Sequence, residues 1–442
     1  MDENSAPFDV AAAAGRFNHM TPDYGRHFRE IYKHMRAKCP VAHTEELGGF
    51  WIATKYEDIM RIARDDETFA SRYGITIAPT SNPDVPVFGP TGDKTTGPLA
   101  RLEPGPNGEA PRLATLPIDL DPPFHRPYRS AIDAMFAPNA VAALEPWIVQ
   151  LCDQLIDDII ETGRGDFSRD LGTPLTSIYT MKVSGLPLED WSDYAHWMQS
   201  QIANSSSVEP RTKNMQPDDL RQRLAAEVVR QRSHPVEGGA IAHLIEAEVE
   251  GRTLENWEIE GYIWLLIAGG VDTTQACMGS SFVWLARNPD QRRRLAGDPK
   301  LMPHAVEEFL RVFAPQQALS RTVMKDVEIR GQKLKRGDRV LMCWASGNLD
   351  EDEFENPDTI DFERANKRHM SFGLGVHRCM GSNVARLEFR VLFEKILRRM
   401  PDYQIDEAGL KPSPVTGVVF GYEHAPFSFT PGKRVGGPRI AV

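Results

Sequence analysis

A chain of 442 residues with 41% apolar and 26% charged side chains can bury a large core and sits near the globular average, which excludes wholesale disorder. Its 51 basic against 62 acidic residues leave a net charge of −11, which argues against a nucleic-acid partner, because such binding needs a concentrated basic face. The five cysteines, at 39, 152, 277, 343 and 379, are scattered, odd in number and without a CxxC pair, so they form no disulfide framework and fit a reducing cytoplasm.

Taken in chain order, the opening MDENSAPFDVAAAAGRFN has neither a basic start nor a long apolar run and does not read as a signal peptide. GGFWIATKY (48–56) is strand-like. Residues 78–117 hold nine prolines and five glycines in 40 positions, which excludes long helices and strands there. A mobile surface loop and a linker between domains are open readings, and loops of that length are often functional; with the family resemblance given below, an active-site lid that orders on ligand binding becomes the expectation. From about 124 to 310 apolar residues recur at threes and fours, as in Ile148, Leu151, Leu155 and Ile159, and helices are expected. The most apolar stretch, YIWLLIAGG (262–270), is broken by Asp272 short of the ~20 residues a spanning helix needs, so no membrane anchor is expected. Residues 320–345 turn strand-like, 348–378 are irregular and charged, a helix is expected over about 382–399, and 415–431 read as another short sheet. The architecture expected is mainly α with small β-sheets.

Residues 372–381, FGLGVHRCMG, stand directly before that last helix. A cysteine ligates as its thiolate, and Cys379 falls where unpaired N–H groups and the helix dipole favour an anion. Gly373 and Gly375 let the loop bend tightly and approach a flat partner, and Phe372 can cover the sulfur. Zinc would need about four ligands, and His369, His377 and Cys379 have no second cluster. Covalent haem attachment needs CxxCH, and in a dinucleotide fingerprint the third glycine position would be Arg378. On the residues alone a buried structural cysteine stays open.

The order Phe372, Gly373, Gly375, His377, Cys379, Gly381 resembles the haem-binding loop of the cytochrome P450 family, and the resemblance runs from about residue 30 to the end. Three further sets of residues carry it. AGGVDTT (268–274) is similar to the family's oxygen-side helix; Thr273 can bond back to the carbonyl of Gly269 and open the helix, and Asp272 beside it is a proton source. In EEFLR (307–311), Glu308 and Arg311 share a helix face and can pair, with Arg364 of DFER completing the family's ExxR set. His125 and Arg129 of DPPFHRPYR, Arg321 of LSRTV, and His377 match positions that bind the haem's carboxylates in relatives.

The resemblance implies one cytochrome P450 catalytic domain over 1–442, with haem b between the distal long helix and the Cys-loop helix. Cys379 would be the axial thiolate; Phe372 and Gly373 would also contact the cofactor, and Asp272 and Thr273 would deliver protons to bound O2. It implies a monooxygenase of the soluble bacterial kind, a monomer in the cytoplasm. Electrons would come from NAD(P)H only indirectly, through a ferredoxin reductase and an acidic ferredoxin docking near Arg126, Lys367, Arg368 and Arg378. The substrate side would include Trp264, Ala268, Val271, Ala318, Leu319 and Val419, mostly apolar, which points to a hydrophobic small molecule such as a terpenoid, fatty acid, steroid or aromatic. A peroxide-driven peroxygenase and a non-catalytic haem sensor are the rival readings, both disfavoured by the retained Asp272–Thr273 pair.

Overall fold

The computed structural model describes residues 8–77, 99, 102–108, 113–204, 217–414 and 416–442. Most of the stretch 78–117, and with it the expected lid, lies outside these residues. Helices dominate the rest, with short sheets at the margins, as the periodicities require.

Two helical systems frame the interior. One is the pair Asn256–Gly270 and Asp272–Arg287, interrupted at Val271. The first of these begins in a reciprocal cap, with the Glu258 carboxylate accepting from the Glu255 amide at 2.8 Å. It is apolar all round and runs through the middle of the molecule, as such a helix must. The other is Ser382–Arg399, which follows the cysteine loop and packs against Glu145–Ile159 and Met302–Phe313. Its Phe389 stacks between Phe309 and Phe393, with ring centroids 5.8 and 4.4 Å away.

A mixed five-stranded sheet lies to one side in the order Val41–Thr44, Phe50–Ala53, Arg339–Met342, Leu319–Val323, Phe69–Ala70. Arg339–Met342 runs parallel to Phe50–Ala53, with Val340 opposite Trp51, and antiparallel to Leu319–Val323, with Val340 opposite Arg321. That register turns Arg321 inward, where it is buried. The C-terminal segment contributes Pro426–Ser428 to a three-stranded sheet between Gln404–Ile405 and Arg164–Asp166. No helix among the described residues is long and apolar enough to cross a membrane.

Candidate active site

The helix pair and the cysteine loop face each other across one cavity, lined by Leu265, Leu266, Gly269 and Thr273 on one side and by Phe372, Gly373 and Cys379 on the other. Two hydroxyls open the helix there. Thr273 Oγ1 donates to the carbonyl of Gly269 at 2.7 Å, and Thr176 Oγ1, from the neighbouring helix Thr173–Ser184, donates to the carbonyl of Val271 at 2.7 Å. Thr176 carries no sequence signal, because its partner comes from a separate helix. The two glycines do different work. A Cβ on Gly269 would meet nothing within 4 Å, whereas one on Gly270 would lie 2.5 Å from Thr180 Oγ1. Only Gly269 leaves room in the cavity; Gly270 lets two helices touch.

In the cysteine loop Gly373 and Gly375 take φ of +64° and +70°. A Cβ on Gly375 would stand 2.4 Å from the carbonyl oxygen of Ala63, so the loop lies directly on the helix Tyr56–Arg64. The Cys379 amide donates to the carbonyl of Phe372 at 2.8 Å, which closes the loop just before Ser382 begins the helix. The thiol opens onto the cavity although it lies deep beneath the protein surface. Burial pushes the thiol up, and the Gly381 amide with Arg129, Arg378 and Arg386 pull it back.

Beside the cavity four cationic or imidazole side chains converge. The rings of His125 and His377 stand edge to face at 4.4 Å. His377 Nε2 is 3.1 Å from Ser71 Oγ and 3.8 Å from Asp121 Oδ1. Burial, with His377 and Arg129 nearby, pushes His125 down to about 3. Arg321, fully buried, is brought down to about 10 by burial despite Asp121. His125 Nε2 and His377 Nδ1 are buried and find no hydrogen-bond partner among the described residues. Arg129 lines the cavity and pairs with Asp133 at 2.5 Å. A cavity with a thiol on one wall and orphaned donors at its rim fits a flat group bearing two carboxylates.

Glu308, Arg311 and Arg364 form a buried cluster. Arg311 donates to both Glu308 oxygens at 2.8 and 3.0 Å, and Arg364 reaches the same carboxylate at 3.1 Å. Arg311 also bonds the carbonyls of Asn348, Pro357 and Thr359, so the cluster ties Met302–Phe313 to the irregular segment before the cysteine loop. The adjacent Glu307, which the sequence reading passed over, faces the loop itself. It accepts from Arg386 at 2.6 and 2.9 Å and lies 3.1 Å from His369 Nε2.

The expected substrate wall needs correction. Leu319 lines the cavity, but Trp264, Ala268, Val271, Ala318 and Val419 do not. The cavity stripe runs 265/266, 269/270, 273/274, 277, and Trp264 and Ala268 sit one stripe over. Trp264 packs against Trp197 at 4.7 Å. Ala318 and Leu319 alternate as strand neighbours must, so Ala318 enters the core near Tyr24 and Phe28. Val419 is buried, bridged to Gln316. Asp272 shares the Trp264 stripe: it is buried, outside the cavity wall, and interacts with Gln199. Its Oδ2 has no partner among the described residues, and burial raises the carboxyl to about 7. Of the four basic residues expected near the cysteine side, Arg126 and Arg378 are exposed without an ion pair among the described residues. Arg368 is paired with Glu353 at 2.9 Å, and Lys367 Nζ is 3.5 Å from the Phe362 carbonyl.

The model of the family described as Cytochrome P450 matches residues 196–401. A steroid C26-monooxygenase of Mycobacterium tuberculosis is 30% identical, covering 97% of this chain and 99% of its own. The chain belongs to the cytochrome P450 family. Cytochrome P450-terp of a Pseudomonas species is 27% identical over 90% of this chain and 92% of its own. A Bacillus megaterium P450 solved in complex with testosterone superposes with a TM-score of 0.77 at 25% identity, covering 93% of this chain and all of that one. This P450 is therefore a monooxygenase, an oxidoreductase that uses haem with a cysteine thiolate and O2.

Proposed function

We propose that the whole chain acts as one catalytic unit. It hydroxylates a hydrophobic small molecule of the steroid, terpenoid, fatty-acid or aromatic kind. In this reading Cys379 Sγ would ligate the haem iron, and His125, Arg129, Arg321 and His377 would hold its two carboxylates. The bound haem supplies activation of dioxygen. The residues of the chain do the rest. Phe372 and Gly373 close over the sulfur side and keep water from it. Asp272, set near neutrality by burial, stores a proton, and Thr273, whose own O–H is given to Gly269, offers an acceptor oxygen at the cavity wall that can orient a proton carrier. Leu265, Leu266, Leu319 and Ile118 offer the substrate an apolar surface, with Gln316 as a polar neighbour. The buried Glu308–Arg311–Arg364 cluster holds the approach to the cysteine loop in place.

The observation that carries this reading is the placing of Cys379, Gly269 and Thr273 on one apolar cavity, with the orphaned donors of His125 and His377 at its rim. Relatives named for steroid and methyl-branched lipid oxidation support the substrate class. Reduction is assigned to an acidic ferredoxin and its NAD(P)H-dependent reductase, working in the cytoplasm. The exposed Arg126 and Arg378 form the centre of the docking surface. Reconstitution with ferredoxin, reductase and NADPH over a steroid and fatty-acid panel tests it. Hydroxylated product that requires ferredoxin is expected; product from peroxide alone, with none from the ferredoxin system, would overturn it.

A further inference from the structure

The structure holds a second ion pair beside the cysteine loop, distinct from the buried Glu308–Arg311–Arg364 cluster. Arg386, in the first turns of Ser382–Arg399, forks onto Glu307 through Nε at 2.6 Å and Nη2 at 2.9 Å. The guanidinium carbon lies 4.5 Å from the centroid of the Phe372 ring. The carbonyl of Phe372 in turn accepts the Cys379 amide at 2.8 Å. His369 braces the same carboxylate. Its Nδ1 accepts from the Ser371 amide at 3.3 Å, which leaves Nε2 to donate to Glu307 at 3.1 Å. Its ring lies 5.7 Å from Phe372. Neighbouring glutamates thus face different ways, Glu308 pinning the irregular segment and Glu307 the loop that carries the sulfur.

We propose that the Glu307–Arg386 pair is a positioning device for Cys379: it holds the Phe372 end of the cysteine loop in place and sets the local charge, and so tunes the reduction potential of the bound cofactor. The proposal rests on Cys379 as the ligand. Its physics is Coulomb's law in a site partly shielded from solvent, where Arg386 and Glu307 side chains are 31% and 20% exposed. The pair is neutral as a unit. Removing the carboxylate leaves an uncompensated cation by the loop and favours the reduced state; removing the guanidinium leaves an anion and disfavours it. A purely structural clamp has no such sign.

Midpoint potentials of the purified haem-loaded protein decide the matter, with haem content and the reduced carbonyl spectrum recorded for each variant. Glu307→Gln should raise the potential, Arg386→Gln should lower it, and the double variant should return close to wild type. Both single variants shifting the same way, or neither moving, would overturn the proposal. Should Arg386→Gln not retain haem, Glu307→Gln and Arg386→Lys decide: the first must still raise the potential, and the second, which keeps the charge, must stay nearer wild type than the first. Wild-type protein without the long-wavelength carbonyl band would instead refute ligation by Cys379, a failure separable from unmoved potentials in protein that shows the band.

Discussion

Thr273 Oγ1 bonds the carbonyl of Gly269, one turn earlier on the same helix, at 2.7 Å, and both residues face the cavity that Cys379 lines. The hydroxyl therefore opens the hydrogen-bond ladder and, with its proton held by Gly269, leaves an acceptor oxygen on the cavity to orient a proton carrier. Thr273→Ala should retain haem and substrate binding while reducing equivalents pass to peroxide, with a several-fold fall in product formed per NADPH consumed. Fully coupled turnover in the variant would remove Thr273 from proton delivery.

Gly269 and Gly270 should respond oppositely to one added methyl. Gly270→Ala forces a Cβ to within 2.5 Å of Thr180 Oγ1 and should destabilise the fold by ~1–3 kcal/mol. Gly269→Ala meets no atom within 4 Å and, trading glycine for a better helix former, should not lower stability. Urea denaturation of the two variants measures the difference.

Glu308 and Arg311 are each 1% exposed and bond each other twice. Glu308→Ala strands the guanidinium of Arg311 in the interior and should cost ~3–5 kcal/mol. An exposed pair such as Arg293–Asp290 should cost under about 1 kcal/mol when broken. Denaturant midpoints with haem retention check both.

Asp272 gives a pH signature. Its carboxyl titrates at about 7 in the folded protein and near ~3.9 when unfolded, so between those values only the folded state keeps the proton. Its contribution to stability is therefore greatest below pH ~4 and is lost as pH rises through about 7. Asp272→Asn has no carboxyl to titrate. Wild type should lose stability relative to the variant at up to about 1.4 kcal/mol per pH unit across the window. Parallel stability profiles from pH 5 to 8 would place the carboxyl elsewhere.

Much of the site was legible because its chemistry sits in short local patterns. The Thr273–Gly269 bond and the Glu308–Arg311 pair follow from spacing along one element, while the loop from Phe372 to Gly381 was legible through its resemblance to the family's haem-binding loop. The helix expected over about 382–399 is Ser382–Arg399. What the sequence hid depends on contacts between elements. Nothing in EEFLR tells which glutamate faces the cysteine loop, since Arg386 lies 79 positions away. The helical part of the substrate wall, Trp264, Ala268 and Val271, was misplaced by a single stripe, because an all-round apolar helix has no amphipathic pattern to orient it. Thr176 and Thr180 were invisible for the same reason: their partners, Val271 and Gly270, belong to another helix.

The carbon monoxide spectrum of the reduced, haem-supplemented protein tests the account most directly. Ligation by the Cys379 thiolate predicts an intense Soret band displaced to long wavelength, lost in Cys379→Ala and unaffected in Cys277→Ala, whose thiol lines the same cavity. A wild-type band at the shorter wavelength of neutral axial ligands, or a displaced band that survives Cys379→Ala, would contradict it.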